Sequence, residues 1–265
     1  MHSRFHLIKK YIYHHLAGSN GKGHGIHSPF VFDFVKNVLR DRKKYEQYPV
    51  IETARQRLLQ QTAEIEVADF GAGSSFIKTS KRKVSDIAAS SLKSAKYAQL
   101  LYRIVKYYQP KTILELGTSF GVTSSYLALA NSNSKLFTIE GSPAIAAIAS
   151  KTFERVGVRN VELIEGDFDK VLPPLLTKLG NIDLAFIDGN HRKAPTLSYF
   201  QQLLAYSHPS TIMIFDDIHW SREMEEAWVE IQRSPRVTLT IDLFFIGIVF
   251  VNPDFKIKQD FKIRF

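Results

Sequence analysis

The chain has 265 residues, of which 45% are hydrophobic, 12% aromatic and 23% charged. This suits one large α/β core with an extension and excludes a disordered chain, while the absence of cysteine excludes disulfides, thiolate metal sites and a cysteine nucleophile. The formal charge of +9 is uneven, because residues 1–110 hold 19 Lys+Arg against 8 Asp+Glu and residues 111–265 hold 16 against 18.

Such asymmetry marks either a solvated basic face or a surface for an acidic partner, whether nucleic acid, anionic lipid or a negatively charged small substrate. The longest apolar run, Leu243 to Val251, is about nine residues, so no membrane-spanning segment is expected. The start, MHSRFHLIKKYIYHHLAG, is interrupted by charge and histidine throughout and lacks the apolar region of a secretory signal. A cytoplasmic protein is the resulting expectation.

In chain order, Phe5, Ile8, Ile12 and Leu16 fall on one face of a first helix. A second helix starts where Ser28 can cap and Pro29 occupies the first turn. His24 and His27 precede that cap and read as surface or lid residues. The stretch Asp69 to Lys83, rich in Gly, Ser and Lys, reads as a loop, and its DFGAGSS is a lid or turn. Ser85 can cap a helix running from Asp86 to about Tyr108, and Pro110 separates it from the first core strand.

From Thr112 onward, strands alternate with helices in the manner of a parallel sheet. The strands are Thr112 to Leu116, Lys135 to Glu140, Val161 to Glu165, Ile182 to Ile187 and Thr211 to Phe215. Helices start near Ser119, Pro143, Asp169, Lys193 and Ser221, with Ser142 a hydroxyl cap before Pro143. Val237 to Asp242 and Phe244 to Val251 lie too close for a crossover and form an antiparallel hairpin. The tail DFKIKQDFKIRF can add an edge strand.

The strongest chemical signal is ILELGTSFGVTSSYLALA, in which a buried strand enters a glycine turn and then a helix. Gly117 and Gly121 let the backbone approach a ligand closely, and the helix start aims N–H groups at it. The spacing is neither that of a dinucleotide fingerprint nor that of a P-loop. Glu140 closes the second strand, where a carboxylate can accept both ribose hydroxyls, and Asp167 follows the third, near where an adenine would lie.

Taken in order, ELGTSFG, TIEGSP, IEGDFDKVLPPL, DLAFIDGNH and MIFDDIHW resemble the class I S-adenosylmethionine-dependent methyltransferases. They are most similar to the small-molecule O-methyltransferases of the catechol and caffeoyl-coenzyme A type. The resemblance implies a Rossmann-like, doubly wound α/β fold with a seven-stranded sheet and a reversed final hairpin. It implies S-adenosyl-L-methionine bound across Glu115, Gly117, Thr118, Gly121, Glu140 and Asp167, bordered by the helix from Ser94. The organisation expected is a basic, mainly helical extension or lid at 1–93, a methyltransferase domain at 94–251 and a tail at 252–265.

Asp188, Asp216 and Asp217 end two neighbouring strands, so their acids can converge. Metal-dependent members use Asp, Asp and Asn at these places to hold magnesium, which makes these three the expected ligands. His191 stands where several relatives have a lysine base, and an imidazole suits removal of a hydroxyl proton near neutral pH. Asp188 and His191 are thus the expected catalytic pair, His219 is a competing base, and a metal-independent enzyme using His191 is an alternative.

A small-molecule acceptor, acidic or aromatic, is the expected partner, with the basic N-terminal part covering its pocket. A homodimer is compatible with the chain. RNA methylation is the weaker alternative, motivated by that basic part with Tyr11, Tyr13, Phe30 and Phe32. No Asn/Asp-Pro-Pro-Tyr signature is present. A binding module that has lost catalysis is a third reading.

Overall fold

The computed structural model describes residues 2–18, 27–69 and 78–265, so His24 and the turn following Asp69 lie outside the described residues. Two compact units form, one from residues 1–41 with 178–265 and the other from residues 42–177. The first unit begins with helix α1 (Arg4–Ala17), capped by Ser3, whose hydroxyl accepts the His6 N–H at 3.3 Å. Helix α2 (Pro29–Phe34) follows, capped as expected by Ser28, and widens into a π-helical turn over Val35–Leu39.

The second unit opens with α3 (Gln47–Gln60) and a hairpin of β1 (Glu64–Asp69) and β2 (Lys78–Lys83). Residues 78–83 are therefore a strand where a loop was expected. Its register sets Glu64 opposite Lys83 and Glu66 opposite Lys81, a long-range charge complementarity invisible to a local reading of a basic polar run. The single helix expected from Asp86 to Tyr108 is two, α4 (Val84–Ser91) and α5 (Ala95–Tyr108). Ser85 lies inside α4, giving its N–H to the Gln61 carbonyl instead of capping. Ser90 and Ser91 turn their hydroxyls back onto carbonyls of α4, and such local bonds compete with helix continuation.

The alternation then runs through β3 (Thr112–Leu116), α6 (Val122–Ala130), β4 (Lys135–Glu140), α7 (Pro143–Val156), β5 (Val161–Glu165) and α8 (Phe168–Leu179). All three strands keep the predicted bounds and are parallel, with β4 between β3 and β5. Ile113, Leu114, Leu116, Leu136 and Ile139 are buried, each worth roughly 1.5–3 kcal/mol of apolar burial. Tyr126 of α6 donates to Glu52 of α3 at 2.8 Å, and Tyr102 of α5 to Gln47 at 2.9 Å, tying residues 42–108 to this core.

Back in the first unit, the chain runs β6 (Ile182–Ile187), α9 (Lys193–Ala205), β7 (Ser207–Asp216), α10 (Arg222–Arg233), β8 (Leu239–Asp242), β9 (Ile246–Phe250) and β10 (Gln259–Lys262). The strand order is β10-β8-β9-β7-β6. β6 and β7 are parallel, and the expected hairpin of β8 and β9 joins antiparallel beside β7. The tail adds β10 parallel to β8, so among the described residues β3 to β10 make eight strands where seven were expected. The architecture is α/β and mostly parallel.

Candidate cofactor and metal sites

In the second unit, the chain leaves β3 through Gly117 at φ 104°, Ser119 at φ 49° and Gly121 at φ 77°. Three left-handed residues in five fold the backbone into a tight turn before α6. A side chain at Gly121 would put Cβ 2.7 Å from the Phe153 ring, so glycine there lets α6 start against α7. Glu140, half-buried at the end of β4, takes the Ser119 N–H on Oε2 at 2.9 Å and the Ser142 N–H on Oε1 at 3.0 Å. Burial raises the Glu140 pKa, and these backbone bonds oppose the rise. The carboxylate still has acceptor capacity for a further donor.

Glu115 lies beneath this turn with no exposed surface. Its Oε2 accepts from Ser124 at 2.5 Å and Thr138 at 2.7 Å, and Thr138 also meets the Thr118 hydroxyl at 2.6 Å. Burial drives the Glu115 carboxyl up to about 7, with the two hydroxyl bonds opposing. Its Oε1 is buried with no hydrogen-bond partner, and so is Ser142 Oγ, which therefore does not cap α7 as expected. Asp167 is half-buried after β5, accepting the Asp169 N–H at 2.9 Å on Oδ1 as it starts α8. Two left-handed glycines, a clamped carboxylate and buried polar atoms lacking partners suit a nucleoside-bearing cofactor with an amino-acid tail. Ser119 and Ser142, the backbone donors to Glu140, lie outside the set read from sequence. Their signal is that one follows the first glycine and the other follows Glu140.

In the first unit, β6 and β7 run side by side with Ile187 opposite Phe215, so Asp188 and Asp216 leave the same strand ends. Asp188, His191 and Asp216 each offer a ligand atom within 4.8 Å of the others. His191 Nε2 is 3.7 Å from Asp188 Oδ1. The loop holding His191 is fixed by Asn190 at φ 56°, whose side chain accepts from Arg192 and donates to the Tyr199 hydroxyl at 3.1 Å. Asp217 does not join this group. Its backbone is left-handed, at φ 53°, and its N–H is spent on the Phe245 carbonyl, which turns the chain away after Asp216. His191 thus joins the two acids in a grouping that the sequence reading assigned to Asp217. Two carboxylates and one imidazole suit a hard or borderline divalent cation.

His219 belongs to a different cluster. Its Nε2 lies 2.9 Å from Asp242 Oδ2 and its Nδ1 3.3 Å from Glu225, with the Phe244 ring stacked on it.

Residues 114–218 match a family described as a methyltransferase domain, a span that holds the expected cofactor and metal residues and His191 and ends just before His219. Over this span the chain is similar to methyltransferase domains. A catechol O-methyltransferase from Niastella koreensis is 36% identical to it over 126 residues, 46% of this chain and 55% of that protein. The chain thus spans about half the length of this curated relative. Among solved structures, the SAH-bound Podospora anserina methyltransferase aligns with a TM-score of 0.58 at 17% identity, covering 85% of this chain and 97% of the other. The O-methyltransferase TomG from Streptomyces achromogenes, in complex with SAM, aligns at 0.56 with 21% identity, covering 79% and 91%. At such identities these structures show the fold alone, a Rossmann-like α/β arrangement.

Proposed function

We propose that the chain transfers a methyl group from S-adenosylmethionine to an oxygen of a small-molecule acceptor. The observation that carries this reading is the Glu140 carboxylate, gripped by the Ser119 and Ser142 amides beside the left-handed turn from Gly117 to Gly121. A carboxylate so fixed is oriented to accept both ribose hydroxyls without rearranging. Thr118 and Asp167 shape the rest of the cofactor pocket, and the buried Glu115 Oε1 is available to a cofactor amine.

The acceptor must lose a proton as its oxygen displaces the sulfonium methyl. His191 is the base, with Asp188 beside it to favour the imidazolium that forms. Asp188 and Asp216 would hold a divalent cation, magnesium in the first instance. When bound, such an ion supplies Lewis acidity that lowers the pKa of an acceptor hydroxyl. The tight grouping of all three side chains favours a second reading, in which His191 is itself a ligand and the metal is one more tolerant of nitrogen, such as manganese.

Calorimetry with S-adenosylmethionine, followed by turnover of a panel of catechols and other phenols, tests the proposal. Glu140→Ala should weaken cofactor binding by about 1–3 kcal/mol. Wild-type affinity in that variant would remove Glu140 from the site. Tight RNA binding that collapses with salt would instead favour a polynucleotide acceptor.

A further inference from the structure

Helix α1 is amphipathic in the wrong sense for a helix packed on its own protein. Its polar side faces inward: His14 is buried against Asp242 at 2.9 Å, and Lys10 and His2 reach Glu225. Tyr11 on this side sets its ring edge-on to Phe244, 5.1 Å away. Its apolar side faces solvent, with Phe5 80% exposed, Ile8 58%, Ile12 52%, Tyr13 70% and Leu16 72%. The helix is also held at both ends, where the His2 N–H bonds the Trp220 carbonyl and Arg264 donates to the carbonyls of Leu16 and Gly18. Rolling α1 to bury the apolar face would strip Asp242, a side chain only 2% exposed, of one of its partners.

We propose that this outward face of α1 docks in the plane of an anionic lipid surface. A fixed apolar stripe backed by a polar network is what an interfacial helix needs, with side chains entering the boundary between headgroups and acyl chains. Charge selects the occupant. The helix carries no acid, Lys9 lies on its outward face, and residues 1–41 hold 6 Lys+Arg against 2 Asp+Glu. Lys9 sits within the apolar face itself, between Leu16 and Tyr13 on a helical wheel. Against lipid, its ammonium can snorkel to the headgroups. In a two-fold contact with a second copy, Lys9 would be driven toward its own symmetry mate, so self-association is the poorer occupant. Trp220, 36% exposed beside the start of α1, offers an aromatic group at the same boundary.

The test is co-sedimentation of the full chain with vesicles of phosphatidylcholine alone and of phosphatidylcholine with about 30% phosphatidylglycerol, with sedimentation equilibrium in the absence of lipid. Binding is expected on the anionic vesicles and at least about tenfold weaker on the neutral ones, with added salt weakening it. The exposed-site variant Ile8→Glu/Leu16→Glu should lose at least about tenfold in binding while keeping its thermal unfolding, and Lys9→Glu should lose the preference for anionic lipid. No binding to anionic vesicles, or binding unchanged in Ile8→Glu/Leu16→Glu, overturns the proposal. A dimer that Leu16→Glu dissociates, in a protein that ignores vesicles, would assign the face to a second copy and also overturn it.

Discussion

His14 and Asp242, 228 residues apart in the chain, meet at 2.9 Å in the interior of the first unit. The same carboxylate takes His219 on its other oxygen and the backbone N–H of Phe244 at 2.8 Å. Phe244 is held at φ 75°, a left-handed backbone costly for a bulky residue, and its ring stacks on His219. One buried acid thus fixes α1, the β8–β9 turn and the His219 ring together.

Burial alone would raise the Asp242 pKa, but the bonds from His14 and His219 outweigh it and hold the carboxyl well below its usual range. A depressed acid contributes stability that is present above the unfolded value of about 3.9 and is lost as pH falls through the folded value. Acid unfolding should therefore steepen below about pH 4. Asp242→Asn should cost about 3–5 kcal/mol at neutral pH and flatten that acid limb. Urea melts between neutral and acid pH measure both, and an unchanged acid limb would mean that the carboxylate is not the coupling group.

Glu115 works in the opposite direction. Its folded pKa is raised to about 7 by burial, so the folded state holds a proton that the unfolded chain gives up near 4.3. Stability then declines as pH rises through that interval. Glu115→Gln keeps an acceptor for Ser124 and Thr138 but has no charge to bury, so its stability should match or exceed wild type at pH 8. Its amide would present a donor in place of Oε1, and cofactor affinity should fall. A variant less stable than wild type at pH 8 would contradict this account of the burial.

Gly121 and Gly157 separate backbone strain from steric clash. Both have positive φ, 77° and 80°, yet an added Cβ meets Phe153 at 2.7 Å in the first and nothing within 4 Å in the second. Gly157→Ala should cost about 1–2 kcal/mol, the left-handed penalty alone. Gly121→Ala should cost more and also weaken S-adenosylmethionine binding, because α6 must move away from α7. Equal losses in thermal melts would show that Phe153 yields without cost.

Much of the fold was legible because strand signals in the second half are local: β3 to β6 begin and end on the predicted residues. The misreadings have non-local causes. Lys78–Lys83 becomes a strand through acids on β1, and Ser142 leads α7 without bonding to it. Periodicity places Phe5, Ile8, Ile12 and Leu16 on one face, but the direction of that face depends on Asp242, on a strand near the other end of the chain. In the candidate site, residue types and order foretold Asp188 beside Asp216. They could not foretell the left-handed backbone at Asp217 or the grouping of His191 with the two acids.

That grouping yields a sharp comparison among the three acids. Asp188 and Asp216 share one cluster with His191, whereas Asp217 lies outside that grouping, its N–H bonded to the Phe245 carbonyl. If Asp188 and Asp216 hold a divalent cation, Asp188→Asn and Asp216→Asn should each weaken manganese binding at least about tenfold by calorimetry, since each replaces a charged oxygen ligand by a neutral one. Asp217→Ala should bind metal within about twofold of wild type. His191→Ala decides its own role: metal affinity retained with turnover lost makes it the base, while both lost together make it a ligand. S-adenosylmethionine affinity should survive in all four variants, because the proposed function assigns these side chains to the acceptor and not to the cofactor. Loss of metal binding in Asp217→Ala as well would restore the ligand set expected from sequence, and unchanged binding in Asp188→Asn and Asp216→Asn would remove the cluster as the metal site.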